Sequence, residues 1–175
     1  MDNSCGSSSF YTIKLLKNIE MFKTGIGFDI HRFVDGRKFI IGGIEIPFEK
    51  GLFGHSDGDV LIHSISDAIL GALGRPDIGY YFPDTDEKIK GIDSKEILKR
   101  VMEFLKEDGY EIVNIDSVII CEKPKILPYS EKIKEKLSEI TGIEKERINM
   151  KGKTTEGFTK GDFCASLSIV LIKEK

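Results

Sequence analysis

The sequence predicts an α+β domain, a mixed β-sheet with its helices packed on one face. Three observations carry that expectation. Hydrophobic periodicity alternates between a period of two and a period near 3.6, in the order β-ββ-α-α-β-α-β-β. Helical runs close at Gly74, Gly109 and Gly142, the residue type that best accepts the left-handed turn ending a helix. Hairpin and crossover connections are mixed, as a sheet of both parallel and antiparallel strands requires.

Composition narrows the class further. A length of 175 residues suits one domain with a real core, and 40% hydrophobic against 31% charged residues is a globular balance. A net charge of -3 leaves no nucleic-acid footprint, and no apolar run approaches the roughly 20 residues needed to span a bilayer. Nucleic acid and membrane are therefore not expected partners, and an anionic substrate would be held by local devices: a metal, helix N-termini or a few lysines. Cys5, Cys121 and Cys164 are odd in number and lack CxxC spacing. That opposes a disulfide framework and favours a reducing, cytoplasmic setting.

Residues 1–22 read as a mobile N-terminal extension ahead of a single domain over 23–175, with Met21 an alternative start. The extension has no basic-then-apolar secretory pattern and its first twenty residues contain no arginine. A plastid-type location is the alternative if it is a targeting segment.

KTGIGFDIH (23–31) reads as a strand, with Ile26, Phe28 and Ile30 on one face and Gly27, Asp29 and His31 on the other. KFIIGGIEIPF reads as a hairpin turning at Gly42-Gly43 and closed by Pro47. A helix follows, with Ser56 and Asp59 as a capping-box-like start and Gly74 and Pro76 as the stop. Residues 75–91 read as a loop. Asp93 and Glu96 open a second helix ending at Gly109, and YEIVNIDSVIIC is a strand. EKPKILP is a loop, SEKIKEKLSEITG an amphipathic helix, and RINMKGK and CASLSIVLIK are the closing strands.

The chemistry-bearing pattern begins with Asp29 and His31, which converge on one side of a strand. His63, on the following helix, completes a three-ligand set of the catalytic zinc type, with a fourth position open. A surface D-x-H pair on an edge strand would read the same way. The helix around His63 is apolar almost all round, yet Ser56, Asp59, His63, Ser66 and Asp67 form a narrow polar stripe. Such a stripe needs polar partners: a metal, with Asp59 or Asp67 accepting from ring N–H groups, or an internal hydrogen-bond network. All three histidines, His31, His55 and His63, lie in or beside this feature. His55 and Ser56 are expected at the helix N-terminus, where a phosphate could bind, although Ser56 also reads as a plain cap.

Three further segments carry weaker signals. KGKTTEGFTKGD offers phosphate donors and Glu156 as a ligand for a hard cation, or is a polar turn; it lacks P-loop spacing. The loop PDIGYYFPDTD, with Asp77, Asp84 and Asp86, could accept from polyol hydroxyls or be simply solvated. EKPKILP could read a base edge or merely connect.

In this order, GIGFDIHRF, IIGGIEIP, KGLFGHSDGDVLIHSISDAILG, DIGYYFPDTD, GIDSKEIL, PKILP and KTTEGFT resemble the 2-C-methyl-D-erythritol 2,4-cyclodiphosphate synthase family of the non-mevalonate isoprenoid pathway. The resemblance covers essentially all of 23–175. It implies a lyase that converts 4-CDP-2-C-methyl-D-erythritol 2-phosphate to the cyclodiphosphate and releases CMP. It also implies a ferredoxin-like sheet and a homotrimer whose active sites lie between subunits. By position, Asp29, His31 and His63 match zinc ligands, and Glu156 matches the ligand of a second ion, Mg2+ or Mn2+. His55 and Thr154 match transition-state stabilisers. Ser56, Asp77, Ile78, Gly79, Phe82, Pro83, Asp84, Thr85 and Asp86 match the methylerythritol and phosphate pocket, and Asp29, Ile30, His31 and His55 are expected among the substrate-binding residues. Cys121, Glu122, Lys123, Pro124, Lys125, Ile126 and Leu127 match the cytosine loop, Lys153 and Phe158 match further contacts, and Thr155 and Lys160 are expected among the substrate-binding residues.

One region departs from the family pattern, which commonly reads T-T-T-E-K-L-G-F-T-G-R-G-E-G. Here KTTEGFTKGDF lacks two residues after the glutamate and has no arginine after Phe158. Lys160 offers a point charge in place of the bidentate fork. The alternatives to the cyclising enzyme are a metal-dependent phosphohydrolase and an isoprenoid-diphosphate-binding trimer without turnover.

Overall fold

A computed structural model describes residues 20–85 and 91–175, so the greater part of the extension and Asp86 lie outside the described residues. The first strand, β1 (Phe22–Asp35), runs four residues beyond the expected His31. The Gly42-Gly43 hairpin is present as β2 (Phe39–Ile41) and β3 (Ile44–Ile46). Both turn glycines have positive φ, +61° and +76°, as the tight hairpin turn demands. A short strand, β4 (Lys50–Leu52), was not foreseen: three residues carry too little periodicity, and its pairing with the end of β1 is what defines it.

Helix α1 spans Val60–Leu73 and stops at Gly74 with φ +72°. Its N-cap is Asp59, not Ser56. The Asp59 carboxylate accepts from the amides of Leu61 and Ile62, and from Gly43 of the hairpin at 2.6 Å, so hairpin and helix start are tied together. Ser56 instead accepts from the Gly58 amide within the preceding turn. The expected loop after α1 contains one helical turn, α2 (Ile78–Tyr81), capped by Asp77. Then come α3 (Ser94–Glu107), β5 (Tyr110–Cys121), α4 (Ser130–Thr141), β6 (Ile148–Lys153) and β7 (Phe163–Glu174).

The main sheet has the order β4-β1-β7-β5-β6, and β5 and β6 are parallel while the other pairs are antiparallel. The expected mixed sheet is present. The ferredoxin-like expectation holds for only one crossover: β7 lies between β1 and β5, but β5 and β6, joined through α4, pair directly.

Glycines set the distance between α1 and the sheet. A Cβ on Gly25 would stand 1.9 Å from the carbonyl oxygen of Ala68, and one on Gly27 would stand 2.0 Å from that of Ser64. At this spacing there is room for small side chains only, and buried serines fill it. Ser64 links to Ser166 at 2.9 Å and to Ser168 at 2.7 Å, and Ser168 links to Ser117 at 2.8 Å. These hydroxyls satisfy one another in a layer otherwise built from Leu61, Ile62, Ile65, Ile69, Leu98, Ile119 and Val170. The apolar side of β1 faces the other way: Ile26, Phe28 and Ile30 are 64%, 53% and 49% exposed, beside Leu167 and Ile169 on β7.

Candidate active site

Alternation along β1 turns Asp29 and His31 toward the helices, and the close approach of α1 brings His63 over them. Asp29 Oδ2 lies 3.0 Å from His31 Nε2 and 2.9 Å from His63 Nδ1. One potential ligand atom from each of the three residues falls within 4.8 Å of the others. The Nε2 of His31 is buried and has no hydrogen-bond partner, because its approach to Asp29 is not aligned for one. Two imidazole nitrogens and a carboxylate oxygen aimed at a shared point fit a divalent ion of the zinc type. Burial opposes ionisation of Asp29, but the close approach of His31, the hydrogen bond of His63 and the charges of both rings outweigh it and hold the carboxyl well below its usual range. Burial likewise opposes the charged form of His63. The hydrogen bond and charge of Asp29, with the charges of Asp59 and Asp57, still raise its pKa above the ordinary value.

The far nitrogen of His63 contacts neither Asp59 nor Asp67, contrary to the expectation from the polar stripe. Asp59 is consumed by capping, and Asp67 accepts from the Ile78 amide at 2.8 Å, fastening α2 to α1. His63 Nε2 instead meets Ser94 Oγ at 2.9 Å and Ser56 Oγ at 3.1 Å. Ser94 and its partner Asp57 were not singled out in the sequence. Ser94 follows the cap Asp93, so its local pattern says only "start of a helix".

The triad opens onto a cleft of about 350 Å³ lined also by His55, Ser56, Ile78, Gly79, Phe82, Pro83 and Asp84. His55 stands in the loop before α1 rather than at the helix end, exposed, with Nδ1 3.8 Å from Asp84 Oδ2. Thr85 is exposed at the edge of the described chain, and Ile30 points its side chain to the opposite face of β1.

The other expected site residues gather elsewhere. A second cleft of about 350 Å³ is lined by Cys121, Glu122, Lys125, Ile126, Leu127, Lys153, Thr154 and Glu156. Thr154 donates to Glu156 at 2.5 Å, and Glu156 holds a positive φ of 51°, a conformation that costs a non-glycine residue energy. Glu122 accepts from the amide and hydroxyl of Thr155, tying the Glu122–Pro124 loop to that turn. Lys123 and Lys160 line a third depression with Arg32 and Lys50, while Phe158 is 92% exposed. Within one chain, then, the residues matched to the sugar and those matched to the nucleotide occupy separate clefts.

Fold and site together define a class: an α+β protein that presents a partly buried Asp-His-His set, suited to a divalent metal, at the base of an open cleft. Residues 22–173 match the model of the YgbB family. A 2-C-methyl-D-erythritol 2,4-cyclodiphosphate synthase of Caldicellulosiruptor bescii is 52% identical over 157 residues, covering 88% of this chain and 100% of that one. Among solved structures, the bifunctional IspDF of Campylobacter jejuni matches with a TM-score of 0.86 at 38% identity; the match covers 90% of this chain but only 43% of that longer one. IspF of Plasmodium falciparum, solved as a CDP complex, matches with a TM-score of 0.78 at 30% identity, covering 90% of this chain and 99% of that one. The chain belongs to the YgbB family, that of the 2-C-methyl-D-erythritol 2,4-cyclodiphosphate synthases, and is an enzyme of the lyase type.

Proposed function

We propose that this enzyme converts 4-CDP-2-C-methyl-D-erythritol 2-phosphate to 2-C-methyl-D-erythritol 2,4-cyclodiphosphate and CMP, in isoprenoid precursor biosynthesis. The observation that carries this is the convergence of Asp29, His31 and His63 at the base of a cleft walled by His55, Ser56, Ile78, Gly79 and Phe82–Asp84. An oxygen of the substrate's 2-phosphate forms a bond to the β-phosphorus, the bond from that phosphorus to the oxygen bridging to the α-phosphorus breaks, and CMP leaves with the bridging oxygen. The nucleophile is already an anion, so the protein needs no strong base. Its work is to fold the substrate back on itself and offset crowded negative charge.

Asp29, His31 and His63 would hold zinc, and Glu156 would hold a second ion, Mg2+ or Mn2+. When bound, these ions supply the positive charge that the diphosphate oxygens require. His55 and Ser56 hold phosphate oxygens; Asp77, Ile78, Gly79 and the Phe82–Asp86 segment hold the methylerythritol. The Cys121–Leu127 loop, Lys153 and Phe158 receive the cytidine, and the Thr154 hydroxyl, which donates to Glu156 in the free chain, turns to the diphosphate where charge builds.

The enzyme works as a homotrimer in which the nucleotide cleft of one chain serves the metal cleft of its neighbour. Two observations support this: the two sets of residues stand in separate clefts of one chain, and one sheet face is openly apolar. On that face Ile26 pairs with Ile169, Phe28 with Leu167, and Leu167 with Val118 across three strands. A contiguous apolar patch of this kind marks an interaction surface. A cytoplasmic setting is supported by the free thiols Cys121 and Cys164 and by the lack, among the described residues, of a helix long and apolar enough to cross a membrane.

Product analysis tests the reaction. Metal-replete protein given the CDP-linked substrate should release CMP and the cyclodiphosphate in equal amounts. Free phosphate would identify a phosphohydrolase, and the absence of CMP would leave a binding protein without turnover.

A further inference from the structure

His63 is pinned from behind by two residues outside the expected ligand set. Ser94 Oγ sits 2.9 Å from His63 Nε2, and the same hydroxyl makes a short contact with Asp57 Oδ1. Asp57 is itself fixed: its Oδ2 accepts from the Ser94 amide at 3.2 Å, its Oδ1 from the Asp59 amide at 3.2 Å, and its own amide donates to the Ile92 carbonyl. Ser94 is fully buried and His63 is 6% exposed, so these contacts are sheltered from water.

The directions of these bonds follow from what each group can offer. A carboxylate only accepts, so the single hydroxyl proton of Ser94 goes to Asp57. Ser94 then has only lone pairs left for His63, and Nε2 must carry the ring proton. Nδ1 faces the point where Asp29 and His31 converge; it donates to the Asp29 carboxylate at 2.9 Å while no cation is bound, and a cation held there takes the place of that proton. Ser56, also facing Nε2, already accepts from the Gly58 amide and can accept from Nε2–H as well; its own proton is then free for a group in the cleft.

We propose that Asp57 and Ser94 are positioning residues that fix His63 in its Nε2–H tautomer and so present Nδ1 to a divalent cation. This rests on the reading of Asp29, His31 and His63 as metal ligands. Ligating histidines usually gain orientation and basicity from such an outer partner, and losing it typically weakens metal binding about 10- to 100-fold. The device also reaches across the fold, because Ser94 is the first residue of α3 while His63 is on α1.

The test measures zinc affinity of the intact protein by competition with a chromophoric chelator, for wild type, Ser94→Ala and Ser94→Thr. Nitrogen-15 spectra of labelled histidine in the zinc-loaded wild type report the tautomer independently of any variant. The expected result is an Nε2–H signal for His63, zinc binding about 10- to 100-fold weaker in Ser94→Ala, and recovery in Ser94→Thr, which keeps the hydroxyl. An Nδ1–H tautomer, or unchanged zinc affinity in a folded Ser94→Ala protein, overturns the proposal. If Ser94→Ala does not fold, the wild-type tautomer decides. A wild type that binds no zinc would instead fail the metal reading itself, and the positioning role would fall with it.

Discussion

A Cβ placed on Gly27 would meet the carbonyl oxygen of Ser64 at 2.0 Å. Gly27 lies two residues before Asp29, and Ser64 follows His63. The contact that permits helix α1 to lie on β1 is therefore what brings His63 Nδ1 within 2.9 Å of Asp29. Gly27→Ala should push the helix outward. Overpacking of this kind costs about 1–3 kcal/mol, and more where backbone is the obstacle. The expected outcome is a lowered urea midpoint together with weakened zinc binding. A stability loss with zinc affinity unchanged would separate packing from the site.

Asp29→Asn retains shape but removes the charge that faces two imidazoles. One zinc per chain should be found in the wild type by elemental analysis, and far less than one in Asp29→Asn or His63→Ala. The protein should stay folded, because most of its core lies away from this cluster.

Asp59 has a structural task only. Asp59→Ala removes a helix cap, worth about 1 kcal/mol, and strands the Gly43 amide, at about 1–3 kcal/mol. Zinc stoichiometry should be unchanged. Burial and the charge of Asp57 push the Asp59 carboxyl from 3.8 up to about 6. In that window the folded chain holds a proton that the unfolded chain has released. The contribution of this group is therefore full below about pH 4 and is lost as pH rises through 6. Asp59→Asn, which cannot titrate, should gain on the wild type across that range in denaturant titrations.

Phe28→Asp puts a charge in the apolar sheet face without touching either cleft. The expected result by sedimentation is loss of the trimer with the fold preserved, and turnover should fall with it. An active monomer would contradict an active site shared between chains.

Thr154→Val deletes a hydroxyl while keeping the turn's shape. Loss of one preorganised donor costs on the order of 10²-fold in kcat. Steady-state kinetics should show that fall with zinc content unaltered.

Much of this was legible in the sequence. Strand β5 and helix α4 have the expected bounds because periodicity and the Gly142 stop are local signals. The triad was legible because i, i+2 spacing puts Asp29 and His31 on one side of a strand. The Asp57–Ser94–His63 chain was not: Ser94 is 31 residues from His63, and nothing in either segment's pattern points to the other. Nor was the outward facing of Ile26, Phe28 and Ile30. Alternation reports two faces, and here the glycines, not the apolar side chains, mark the side that meets the helix.

The most direct measurement is anomalous scattering at the zinc edge from crystals soaked with CDP. The account predicts a zinc peak at the point shared by Asp29, His31 Nε2 and His63 Nδ1. It predicts the diphosphate in that cleft and the cytosine on the Cys121–Leu127 loop of a neighbouring chain. A triad without zinc, or a nucleotide held entirely by one chain, would contradict it.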